Sequence, residues 1–169
     1  MLEGSIAHGK HFVDQEQVRV CVYGNGKAQA HVQAKKLDPA AIIDFRLYPD
    51  MLSFKRQVQI ASDTCKGVMA RLAGVDIPAY EDTEQSFEDL QARIAKTIAF
   101  VESFTPAQID GTEDKDIVTK RGDTETHYKG MQFLLGHALP NVYFHVSMAY
   151  SILRHNGVEV GKRDYLGKI

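Results

Sequence analysis

Residues 133–153 read FLLGHALPNVYFHVSMAYSIL, the most apolar stretch of the chain. Inside it His137, Asn141 and His145 follow one another at intervals of four. Residues four apart share one face of an α-helix, because four is a little more than one turn. The stretch therefore predicts a long helix over about residues 131–155 with a polar stripe along an apolar body. A proline inside a helix deletes one backbone hydrogen bond and crowds the turn before it. A disturbance is thus expected at Pro140, and Asn156-Gly157 ends the helix.

Working outward, KDIVTKRGDTETHYK (residues 115–129) alternates like two strands around Gly122-Asp123, a hairpin signal. A lone hairpin is marginal in water, so it must lean on helices. Before it, Phe87, Leu90, Ile94, Ile98 and Val101 recur at helical spacing and predict a helix at about 87–103. Ser86 and Asp89 stand three apart as a capping box, with Asp in place of the usual Glu. Another helix is expected at about 51–73, capped by Asp50 or Ser53 and stopped by Gly74. Pro78 and the acidic run EDTEQ make the loop between these two helices.

The first residues read differently. VRVCVY (Val18 to Tyr23) alternates like a short strand, and Gly24-Asn25-Gly26 is expected to break any regular element. Helical composition begins at Lys27 with AQAHVQAKK and stops at Asp38-Pro39, which can start a short turn through AAIIDF. The division is a divergent segment 1–26 followed by a single helical domain, 27–169. The tail KRDYLGKI reads as polar and turn-like. The sum is a mostly α protein, an up-and-down four-helix bundle with a small β-hairpin before the last helix.

Composition narrows the function. The chain has 169 residues, 44% hydrophobic and 25% charged, with a formal net charge of -2. This is one ordinary domain, large enough to bury a core without staples. The charge balance lacks the basic surplus of a general nucleic-acid binder. No run reaches the ~18 apolar residues of a membrane span. With two cysteines, Cys21 and Cys65, and no apolar leader, the expectation is a cytoplasmic protein with core thiols. No phosphate loop, dinucleotide fingerprint or CxxC pair is present.

The polar stripe is the remaining chemistry. Metal sites in bundles use inward-facing histidines and carboxylates from neighbouring helices. His137 and His145 are eight apart, roughly 12 Å along a straight helix, too far to share an ion. Asn141 and His145 have suitable spacing, but an amide is a poor transition-metal ligand. On the helix at 51–73, Gln59 and Asp63 are also four apart. Gln59, Asp63, Asn141 and His145 are therefore the candidate pocket between two helices. Their plainer role is packing, since buried amides are ordinarily satisfied hydrogen-bond partners. His145 has the stronger claim to function, as histidine is the tunable acid-base group near neutral pH.

The runs RQVQIASDTCKGVMARLAGVDIPAYEDTE, FEDLQARIAKTIAFVESF and LLGHALPNVYFHVSMAYSILRHNGVEVGKRDYLG resemble an uncharacterised bacterial branch, a domain of unknown function, of the DinB/YfiT-like superfamily. The resemblance covers about residues 28 to 167. It implies a four-helix bundle with an added hairpin, often as a homodimer. The superfamily holds a divalent metal, such as zinc or nickel, on three histidines, and some members are thiol-dependent transferases. Carried onto this chain, the two ligand positions of the last helix fall on Asn141 and His145, and that of the second helix at or next to Gln59. One imidazole of three is kept. The expected function is therefore a bundle with a degenerate metal site and a small-molecule-binding or structural role. The alternative is a divalent-metal-dependent enzyme, such as a thiol-dependent transferase using His145. The resemblance also places a long apolar first helix where only KAQAHVQAKKLDP is recognisable, so part of the core is expected to lie exposed if the first half-helix is absent.

Overall fold

The computed structural model describes residues 17–166. In chain order these form α1 (Gln17–Lys35), α2 (Ala40–Ile43), α3 (Phe54–Ala73), α4 (Phe87–Glu102) and α5 (Pro106–Ile109). The hairpin β1 (Asp116–Arg121) and β2 (Thr124–Lys129) follows, then α6 (Gly130–Phe133), a π-helical turn (Leu134–Ala138), α7 (Leu139–His155) and α8 (Lys162–Leu166). The four long helices make the bundle. Helix α3 packs on α4 and α7, and α1 packs on the same two from the other side. The helices α1 and α3, joined through α2, thus sit across the diagonal of the bundle. Phe54, Val58, Phe87, Ile94, Val142 and Ile152 contribute to its core.

The expected elements at 87–103 and 115–129 are present. Ser86 Oγ accepts from the Asp89 N–H and Asp89 Oδ2 accepts from the Ser86 N–H, both at 3.0 Å. The short Asp side chain therefore closes the capping box as Glu would. The hairpin turns at Gly122, whose φ of 58° suits glycine in a two-residue loop. It leans on the bundle through buried Ile117 and through Tyr128, whose ring lies 5.6 Å from that of Phe133. Helix α3 starts at Phe54, three residues later than expected, with Ser53 as the N-cap residue. Gly74 ends it at φ 75°, its N–H on the carbonyls of Ala70 and Arg71.

Two expectations are corrected. Val18 to Tyr23 is not a strand, and Gly24-Asn25-Gly26 breaks nothing: α1 runs through both. The glycine and asparagine serve packing instead. A Cβ on Gly24 would come within 2.9 Å of Leu153 Cδ1, so the glycine lets α1 approach α7 closely. Asn25 is buried and donates to the Phe87 carbonyl at 2.7 Å, tying α1 to the start of α4. Tertiary contact overrides propensity here. Cys21 and Asn25 in its first half, and Ala28 and Val32 in its second, are buried, so both halves cover core. The helix crosses position 26, and residues 1–16 of the divergent segment lie outside the described residues.

The disturbance expected at Pro140 in the last helix is present: it is a π-helical turn just before the proline, in which the Leu139 N–H reaches the Leu134 carbonyl five residues back. Widening the turn gives the proline ring room against the preceding carbonyls. The second correction is that the tail is helical. Residues Lys162–Leu166 form α8, which lies across the seam of α1 and α7 by the Lys27–Asp164 ion pair at 2.7 Å and the Ser147–Tyr165 hydroxyl contact at 3.0 Å.

Candidate functional site

The stripe on α7 resolves into three different situations. Asn141 is half-buried and donates its side-chain N–H to the carbonyl of His137 at 2.5 Å. The amide thus bonds back to the carbonyl four residues earlier on its own helix. His137 stacks on Phe133 and lies 3.5 Å through Nδ1 from the Tyr128 hydroxyl, so it holds the hairpin against the bundle.

His145 is different. It is 8% exposed, and its Nδ1 lies 2.8 Å from Oε1 of Gln57 on α3. The Gln57 side-chain N–H donates to the Leu52 carbonyl, which fixes the amide orientation. Gln57 Oε1 is then an acceptor, so His145 carries its proton on Nδ1 and a lone pair on Nε2. Burial lowers the imidazole below the ordinary histidine range, which favours this neutral form at neutral pH. No hydrogen bond reaches Nε2 among the described residues.

Gln59 and Asp63 belong elsewhere. Two residues on a helix turn the direction by about 200°, so Gln59 points away from where Gln57 points. Its side-chain N–H donates to Glu84 at 2.6 Å, and its carbonyl accepts from Arg56 at 2.7 Å. Asp63 pairs with Arg93 and Lys66, each at 2.8 Å. Both face α4 and the loop before it. Gln57, not Gln59, is the α3 residue that meets His145.

The centre of this second region is Arg93, whose side chain is 2% exposed. Its guanidinium binds Glu84 at 2.9 Å, Asp63 at 2.8 Å, Asp82 at 3.1 Å and the Glu81 carbonyl at 3.1 Å. Burial works against the Arg93 charge, but its hydrogen bond to Glu84 and the nearby acids outweigh it and raise its pKa. Burial likewise raises the Glu84 carboxyl, yet hydrogen bonds from Arg93 and Gln59 prevail and hold it below the usual range. Lys66 Nζ sits 3.7 Å over the Tyr80 ring, which adds a cation–π contact to the same loop. Sequence reading missed Arg93 and Glu84. The signal was there: Arg93 follows Leu90 by three and precedes Thr97 by four, on the core face of α4 beside an acidic loop.

These donors do not fit a transition metal. Of the three positions that the resemblance assigns to ligands, only His145 offers an imidazole. Asn141 spends its N–H on a backbone carbonyl, and Gln59 is engaged at both ends. Amides are feeble ligands for zinc or nickel in any case. Among the described residues, no three His, Cys, Asp or Glu side chains come together to hold an ion.

Comparison with known proteins gives the ancestry. No curated protein matches. A crystal structure of a DinB family member protein from Shewanella denitrificans is similar over 94% of this chain and 89% of its own, at 37% identity and a TM-score of 0.83. Residues 26–166 match the family described as domain of unknown function DUF1993. With the helices, the hairpin and the altered stripe in view, the chain belongs to the DUF1993 family, a branch of the DinB-like superfamily.

Proposed function

We propose that this protein is a small-molecule-binding DinB-like bundle that has kept one imidazole of a metal site and uses it without the metal. The observation that carries this reading is the fixed tautomer of His145. Its Nδ1–H is held by Gln57, and its Nε2 lone pair has no hydrogen-bond partner among the described residues. A neutral, oriented acceptor on a mostly buried ring suits a ligand N–H or O–H. Nε2 is not among the fully buried polar atoms that lack a partner, so it stands where solvent or a ligand can reach it.

Two further elements belong to this reading. The free, buried Cys21 and Cys65 support a reducing, cytoplasmic setting. Burial pushes the Cys21 thiol up to about 12, which keeps it an inert thiol. The chain also acts as a homodimer, as the family resemblance implies. Exposed apolar side chains at Val118, Leu135 and Phe144 support self-association.

The experiment is a melting-shift screen of small polar molecules against the wild type and His145→Ala, with zinc and nickel titrations alongside. The expected result is a hit whose shift vanishes in the variant and no stoichiometric metal uptake. Tight binding of one zinc or nickel that His145→Ala abolishes would replace this reading with the metal-dependent enzyme.

A further inference from the structure

The hairpin is a two-stranded sheet on a helical protein, and neither strand pairs with a third among the described residues. Its register sets Asp116 opposite Lys129, Val118 opposite His127 and Lys120 opposite Glu125. These six residues share the outward face, because strand side chains alternate and Ile117 points into the core. They are open to solvent: Val118 is 47% exposed, and the side chains of Asp116 and Lys120 are 82% and 65% exposed.

The backbone follows the same alternation. A two-residue loop closes on a hydrogen-bonded pair, here Arg121 and Thr124. Counting back, Arg121, Thr119 and Ile117 turn their N–H and C=O groups toward β2. Asp116, Val118 and Lys120 turn theirs outward. The outer edge of β1 thus offers unpaired donors and acceptors at the residues whose side chains face solvent.

We infer that this edge pairs antiparallel with the same edge of a second copy, on a two-fold axis through Val118, to give a four-stranded sheet. The inference rests on the homodimer reading above and names its surface. Antiparallel pairing about Val118 sets Val118 against its counterpart and Asp116 against Lys120 of the second copy, twice. The intrachain pairs Asp116–Lys129 at 2.6 Å and Lys120–Glu125 at 3.7 Å then extend into rows of alternating charge across all four strands. A slip by two residues in either direction sets Val118 against a charge, so the register is self-selecting. An edge lysine ordinarily discourages pairing. Here it meets a carboxylate.

Sedimentation of the full chain over a concentration series tests this, with Val118→Pro and His127→Pro as paired variants. Both substitutions remove an outward-facing N–H, so neither deletes a bond of the β1–β2 ladder. Unchanged helical circular dichroism confirms that each is folded. A wild-type dimer whose dissociation constant rises at least tenfold in Val118→Pro and not in His127→Pro supports the inference. Lys120→Asp, which sets carboxylate against carboxylate, weakens the dimer likewise. A wild-type dimer untouched by Val118→Pro and Lys120→Asp overturns the β1 surface and leaves the homodimer reading standing. Loss in His127→Pro alone overturns it in favour of β2. A monomer at every concentration overturns both.

Discussion

The Arg93 network and the His145–Gln57 pair are both buried polar clusters against α3, yet they end differently. Around Arg93 the charges close on one another. Glu84, Asp63 and Asp82 meet one guanidinium, Lys66 shares Asp63, and Gln59 bonds Glu84. Such a cluster ties the loop of residues 75–86 to two helices and uses most of its donors internally, with Arg93 Nε buried and without a hydrogen-bond partner. At His145 the amide fixes one ring nitrogen and leaves the other with a lone pair. Residue type does not separate these cases, since both contain glutamines on the same helix. What separates them is the atom left over: Arg93 Nε is buried away from solvent, whereas His145 Nε2 is an acceptor that is not walled in.

The harshest challenge to this contrast is Arg93→Ala. Removing this guanidinium leaves the Glu84 carboxylate, whose side chain is 9% exposed, without its main partner. Breaking a buried pair from one side costs about 3 kcal/mol or more. Urea denaturation would show that loss, and ligand shifts at His145 would persist in whatever fraction remains folded. A near-neutral effect would mean the network is surface decoration.

His145→Ala is the next test. It strands the Gln57 carbonyl and costs about 1–3 kcal/mol. Replacing both partners, His145→Leu with Gln57→Leu, should recover most of that stability, because no polar atom is then left unpaired. The double variant should still bind no ligand that wild type binds. Recovered stability with lost binding separates the structural share of the imidazole from its functional share.

Much of this was legible beforehand, and the errors are instructive. The capping box, the hairpin and the stop at Gly74 depend on neighbours within a few residues, so local sequence carries them. Helix α1 depends on Leu153 and Phe87, far along the chain, and Gly24-Asn25-Gly26 looks like a break until those contacts exist. The site divides in the same way. Spacing of four placed His145 and Asn141 on one helix face. It could not show that Gln57 rather than Gln59 faces α7, because that depends on how α3 is rotated in the bundle. Nor could it show that Asn141 turns back on its own helix, since spacing does not say which rotamer an amide takes.

Acid should sharpen the contrast. Burial lowers the folded-state pKa of His145 below its ordinary 6.5, so the unfolded chain binds the proton more readily. The stability from its neutral form is present above about 6.5 and declines as pH falls through the window below that value. Glu84 is also lowered in the folded state, from 4.5, so its contribution is present above that value and is lost at more acid pH. Two successive losses are expected on acidification, the first absent in His145→Leu/Gln57→Leu and the second reduced in Glu84→Gln. Denaturation midpoints from pH 8 to 3 would display them (about the span of the two ordinary values with margin).

The smallest effect belongs to Asn141→Ala. If this amide only supplies a donor to the His137 carbonyl, its loss costs about 1 kcal/mol and leaves ligand shifts at His145 untouched. Asn141→Ser, with a shorter donor on the same helix face, should recover part of that stability. The opposite pattern, unchanged stability with abolished binding, would mean that Asn141 and His145 work as a unit. The division between a closed cluster and an open one would then run between α3 and α7 as wholes, rather than between Arg93 and a single imidazole.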